Sequence, residues 1–227
     1  MVKASLSRGL FFMERVTFYI DGFNFYYALK RSKASNSIWT QFYWIDFVKL
    51  FSQFLGNNQV LSKVVYFTAT PLSSQKSSRQ GTLFNANKLI NGDRFEVVRG
   101  KYYDKQIVCP SCKYSISKPE EKRTDVNISV RMMGDCSLNT TDVLVLVSAD
   151  SDLAPPIEFI QKHYPDKTVR VYFPPNSFCN DLNYNMIRNK KKAVKLSNNM
   201  SKFANSIMPD NVTNNGKTYT IPEKWKV

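Results

Sequence analysis

The 227-residue chain holds a single histidine, His163, and this scarcity closes off several chemistries at once. No Ser-His-Asp set and no glycine-rich phosphate-cradling loop can be found in it, so covalent hydrolases, nucleotide-binding switches and histidine-based ribonucleases are poorly supported. Acid is also short, with 18 Asp and Glu against 32 Lys and Arg, for a net charge of +14 and a pI of about 9.6. That balance favours polyanionic partners, nucleic acid first. An anionic membrane fits less well, because the basic residues are dispersed and no amphipathic basic helix stands out. No apolar run approaches the ~20 residues of a membrane helix. The opening MVKASLSRGLFFMERV has too short an apolar stretch for a secretory leader. These absences predict a cytoplasmic chain with residues 1–14 as an N-terminal extension and Met13 as a candidate start. Four cysteines, Cys109, Cys112, Cys136 and Cys179, with only the first two close together, argue against a disulfide framework and leave metal binding or inert burial.

What the chain does have is a hydrophobic share of 43% with 14% aromatics, enough for one sizeable α/β domain. Its organising stretch is Leu144-Val145-Leu146-Val147-Ser148-Ala149-Asp150-Ser151-Asp152. An unbroken β-branched and leucine run without alternation reads as a strand buried on both faces, at the centre of a parallel sheet. The carboxyl ends of such strands face a crevice where helix N-termini gather, and Asp150 and Asp152 fall at that edge. Two neighbouring carboxylates call for a cation, a basic partner or a raised pKa. A helix cap beginning before Pro155-Pro156 would account for Asp152 alone and leave Asp150 unexplained.

Earlier in the chain, Arg15–Ile20 reads as a first strand ending in Asp21-Gly22-Phe23-Asn24, with a helix following. Asn24 can face back toward Asp21 as a hydrogen-bond partner. A second helix is predicted over Ile45–Leu55, a strand over Lys63–Thr70, a helix through Leu83–Ile90 and a strand over Phe95–Gly100. This alternation is that of βαβ units. Residues 101–118 break it with an inserted hairpin around Cys109-Pro110-Ser111-Cys112. The C-x-x-C is half of a tetrahedral zinc site. The hairpin is read as metal-free, with a structural zinc at Cys109 and Cys112 left open should Cys136, Cys179 or His163 come near. Thr124 is a predicted N-cap that places Asp125 in the first turn of a helix, directly after the basic pair Lys122-Arg123. A strand over Thr168–Phe173, a short helix over Leu182–Ile187 and the basic run ending in Lys190, Lys191 and Lys192 follow. That run, with Lys122 and Arg123, suits a phosphate backbone and makes these five residues the candidate nucleic-acid contacts. The Asn- and Lys-rich residues 198–227 are predicted to form an irregular, loosely packed tail.

Four pieces, Tyr19-Ile20-Asp21-Gly22-Phe23-Asn24, Lys122-Arg123-Thr124-Asp125-Val126, Ser148-Ala149-Asp150-Ser151-Asp152 and Met208-Pro209-Asp210, together resemble the NYN family, the LabA-like branch of PIN-like nucleases, over roughly residues 15–197. The resemblance implies a PIN-like central parallel sheet flanked by helices. It also implies a metal-dependent ribonuclease site with Asp21, Asp125, Asp150 and Asp152 as the acidic cluster and Asn24 beside them. Some members of the wider group bind RNA without cutting it, so a regulatory or RNA-binding module is the alternative. The chemistry of the residues agrees with the enzyme, because Mg²⁺ and Mn²⁺ take carboxylate oxygens and clustered negative charge gives a pure polyanion binder no advantage. RNA is the expected partner, no membrane is expected, and homo-oligomerisation is left open.

Overall fold

The computed structural model describes residues 13–226, apart from the side chains of 104, 105 and 117–121. The expected extension over residues 1–14 therefore lies almost wholly outside the described residues, and Glu14 already belongs to the first strand. The chain runs through β1 (Glu14–Asp21), α1 (Gly22–Ser35), a 3₁₀ segment (Ser37–Tyr43), α2 (Phe47–Ser52), β2 (Gln59–Thr68), α3 (Ser74–Asn91) and β3 (Phe95–Arg99). The hairpin strands β4 (Lys101–Val108) and β5 (Ser115–Lys122) come next, then α4 (Thr124–Ser137), β6 (Val143–Val147), α5 (Ala154–His163), β7 (Thr168–Phe173), α6 (Asn180–Arg188) and β8 (Val194–Lys195). A short α7 (Met200–Ala204) and a second hairpin, β9 (Asn211–Asn214) with β10 (Lys217–Thr220), close the described chain.

Six strands form one parallel sheet in the order β3-β2-β1-β6-β7-β8. The central position of β6 explains its sequence, since all five residues of Val143–Val147 are buried. Its alternate side chains feed the two faces: Val145 and Val147 join Phe18 and Ile20 in one apolar cluster, while Leu144 and Leu146 join Tyr19 in the other. The first cluster is aromatic-rich, with Trp44, Phe47, Phe51 and Phe203. The second takes Ile128 and Met132 of α4, Ile157 and Ile160 of α5, and Leu182 and Met186 of α6. Chain order reverses between β1 and β6, because β2 and β3 lie on one side of that pair and β7 and β8 on the other. A crevice at the carboxyl ends of β1 and β6 is the geometric result.

Several expectations are corrected. The tail beyond Ser197 is folded rather than loose: Phe203, Met208, Val212 and Ile221 are buried, Trp44 Nε1 donates to the Pro209 carbonyl at 2.9 Å, and Trp225 stacks on Tyr43. Its Asn and Lys content suggests disorder, yet the few apolar residues are spaced to reach the core while most of the polar ones face water. The second helix is short because Asp46 caps it at Lys49 N, 2.9 Å away, and Ile45 is instead bridged to Ile207. Thr124 does not cap α4 but is its first, buried residue, and the position before it is Arg123 in a left-handed conformation with φ 80°.

Candidate metal centre

Asp21 ends β1 at 4% exposure, and both carboxylate oxygens have donors: Asn24 N–H to Oδ1 at 3.0 Å and Ser148 Oγ–H to Oδ2 at 2.8 Å. The first of these bonds makes Asp21 the N-cap of α1. The turn that permits it needs glycine next. A Cβ on Gly22 would lie 2.3 Å from Tyr66 Cε1 and 2.5 Å from the Phe67 carbonyl. Burial raises the Asp21 pKa from its ordinary value, hydrogen bonds from Asn24, Ser148 and Phe23 pull it back, and the Asp150 charge pushes it up again. Asn24 is fixed as well, its Oδ1 accepting the Ala149 N–H at 3.1 Å.

Asp150 follows β6 and caps a 3₁₀ turn, accepting the Asp152 N–H at 3.1 Å, while its own N–H donates to Ser148 Oγ at 3.1 Å. Asp125 enters from the first turn of α4. Carboxylate oxygens of Asp21, Asp125 and Asp150 lie within 4.8 Å of one another, one buried and two half-buried. Asp152 stands outside this group, exposed on the 3₁₀ turn. Nor does it cap α5, where the preceding residue is Leu153 and no side chain caps the helix. The arrangement fits a small hard cation: three oxygen donors from three separate segments face one point, and like charges so close are otherwise mutually destabilising.

A cleft of about 260 Å³ opens over the triad, lined by Phe23, Asn24, Tyr27, Arg31 and Thr124 as well as the three aspartates. Arg31 and Tyr27 were not anticipated from sequence. The signal was available, since Asn24, Tyr27 and Arg31 follow one another at helical spacing on α1. Arg31 is braced by a 3.0 Å bond from its Nη2 to Ser177 Oγ. Of the predicted phosphate contacts, Lys122 and Arg123 immediately precede Thr124 of the cleft, and the Arg123 guanidinium sits 5.7 Å from the centre of the Tyr103 ring. Lys190, Lys191 and Lys192 are exposed beyond the end of α6 and do not line the cleft. Cys109 and Cys112 lie at the hairpin turn, whereas Cys136 and Cys179 are buried in the second core cluster. Among the described residues the aspartate triad is the one group of three or more ligand-type side chains close enough to share an ion.

Fold and site together define an α/β domain of the PIN-like class with an acidic cleft at the switch of its parallel sheet. Residues 15–197 match the NYN domain, and the chain belongs to that family of PIN-like nucleases. Among curated proteins it is similar to 6-hydroxy-3-succinoylpyridine 3-monooxygenase HspA from Pseudomonas putida, 26% identical over 207 residues, covering 77% of this chain and 64% of that protein. The match thus spans less than two thirds of that relative's length. Among solved structures, a protein of unknown function from Vibrio parahaemolyticus shares the fold with a TM-score of 0.51 at 20% identity, over 77% of this chain and 90% of that one.

Proposed function

We propose that this chain hydrolyses RNA phosphodiester bonds with a divalent cation, Mg²⁺ or Mn²⁺, held by Asp21, Asp125 and Asp150. The observation that carries the reading is the convergence of three carboxylates on a protein whose net charge is +14. When bound, such a cation polarises a phosphoryl oxygen and lowers the pKa of an attacking water. The chain's own part is to hold the ligands still. Ser148 and the Asn24 N–H fix Asp21, and the Asp152 N–H fixes Asp150. Asn24, its Oδ1 held by the Ala149 N–H, and Arg31 line the cleft, and Arg31 with Lys122 and Arg123 would supply positive charge for the substrate backbone. Lys190, Lys191 and Lys192 would extend that contact along the strand. By family analogy the products carry a 5′-phosphate and a 3′-hydroxyl. Asp152, outside the triad, is not among the ligands in this reading.

The test is cleavage of a panel of single-stranded, structured and transfer RNAs in Mg²⁺ or Mn²⁺, wild type against Asp150→Asn. Turnover should fall by about a hundredfold or more, the usual loss when one charge-stabilising group is removed. RNA affinity without metal should hold or rise. Equal cleavage by both proteins would place the activity elsewhere, and no cleavage of any RNA would favour a non-catalytic RNA-binding module. The similarity to HspA supports a second reading, hydroxylation of a pyridine ring, which turnover of 6-hydroxy-3-succinoylpyridine with oxygen and a reductant would reveal.

A further inference from the structure

The β4–β5 hairpin ends two residues before Thr124 of the acidic cleft without lining it, and its tip carries Cys109-Pro110-Ser111-Cys112. That tip is closely organised. Cys109 N–H donates to the Tyr114 carbonyl at 2.9 Å, and Lys113 N–H returns to the Cys109 carbonyl at 2.9 Å. Lys113 takes φ 57°, a left-handed conformation that a lysine adopts only under constraint. The Cys112 backbone, the Cys112 thiol and the Ser111 backbone together draw the Cys109 pKa below its ordinary value. Both cysteines are reduced and accessible, with Cys112 exposed and Cys109 half-buried. Around them Ile107, Val108, Tyr114 and Ile116 are all exposed, 46 to 67% of each. The two strands pack chiefly on each other. An isolated two-stranded ribbon is marginal in water, and an apolar tip makes it worse.

A tetrahedral thiolate site needs four ligands, and this turn presents two, preset. No described third ligand lies within reach of them, and Cys136 and Cys179 are occupied in the core. Since no described residue completes the set, a second molecule is the source that the exposed tip leaves open. We propose that Cys109 and Cys112 of two copies of this chain close around one Zn²⁺, joining the hairpins tip to tip. A two-fold contact is self-complementary, so the half-site meets its own equivalent and the exposed apolar residues cover each other. The thiols release their protons on binding, and Lys113, adjacent to each pair, offsets the negative charge of the tetrathiolate centre. The charge of +14 on each copy opposes broader contact, which confines the junction to the tips and makes it depend on the metal. None of this rests on the nuclease reading.

The full chain, reduced and metal-stripped, is titrated with Zn²⁺ while zinc content and sedimentation mass are followed. The expected result is about one zinc per two chains, the four-thiolate stoichiometry, with a doubling of mass that a chelator reverses. Co²⁺ in place of zinc should give the intense visible bands of a thiolate-ligated tetrahedral ion. Cys109→Ser with Cys112→Ser should abolish both responses while the thermal melt of the domain stays in place. Ile116→Asp keeps both thiols, so it should retain the Co²⁺ spectrum at high protein concentration yet shift dimerisation to higher concentration. One zinc per monomer, a dimer that survives the chelator, or no zinc uptake by the reduced protein would each overturn the proposal.

Discussion

Asp150→Asn offers a test of the acidic centre that needs no substrate. With oxygens of Asp21, Asp125 and Asp150 within 4.8 Å of one another, each pair of full charges repels by about 3.5 kcal/mol or more at an effective dielectric constant near 20. Asp125 and Asp150 are half-exposed, so solvent screening relieves most of this. A net gain of about 1 kcal/mol on removing the Asp150 charge is the discounted figure. Asparagine keeps the oxygen that accepts the Asp152 N–H, so the turn is not lost with the charge. In a chelator the variant should therefore melt about 2–4 °C above wild type. In Mn²⁺ the order should reverse. A cation present at ten times its dissociation constant stabilises the wild type by about 1.4 kcal/mol, and the variant should lose most of that. Differential scanning fluorimetry in EDTA and across a Mn²⁺ series reads both. A variant that melts lower in EDTA, together with a wild type indifferent to Mn²⁺, would refute the claim that these carboxylates form an ion site.

Gly22→Ala should cost about 2–3 kcal/mol or more, since its Cβ meets a buried ring and a backbone carbonyl that cannot both move aside; urea unfolding measures it. Asp142, bound by the Arg15 side chain and backbone N–H at 2.9 Å, has its pKa held well below the usual carboxylate range. A lowered carboxylate pKa stabilises the fold above the unfolded value of about 4 and loses that contribution as pH falls. Because Arg15 is more than a third exposed, Asp142→Asn should remove only about 1–2 kcal/mol at neutral pH and should flatten the acid limb of a melt-against-pH curve. Phe203→Ala should lose about 3–5 kcal/mol, the cost of emptying a fully buried aromatic site, which an irregular tail would not show.

The sheet was legible because its information is local. Val143–Val147 announces burial on both faces, and Asp21-Gly22 announces a strand end and a turn. The inserted hairpin was legible for the opposite reason, as an interruption of the βαβ rhythm with turn residues at its middle. The closing segment was not, because composition averages over residues whose individual placement matters. Phe203 contacts the rings of Phe25, Trp39 and Phe42, partners more than 150 positions away. Arg31 escaped for a related reason: its helical spacing from Asn24 and Tyr27 places it on their face of α1, but the Ser177 that braces it lies 146 positions further on.

The division between Asp150 and Asp152 shows where local reading stops. Both carboxylates follow the same strand, and spacing alone treats them alike. The structure separates them by what each backbone N–H does. Asp150 N–H is tied to Ser148 Oγ, the same hydroxyl that donates to Asp21, so one serine holds two strand ends in register across β1 and β6. Asp152 N–H is spent on Asp150, which turns the chain and carries the Asp152 side chain out to solvent. The acidic centre is thus built from Ser148 outward, a buried hydroxyl satisfied on both sides. The Asp21 and Asp150 carboxylates are placed by hydrogen bonds within the protein itself, the preorganisation that the proposed ion site would require.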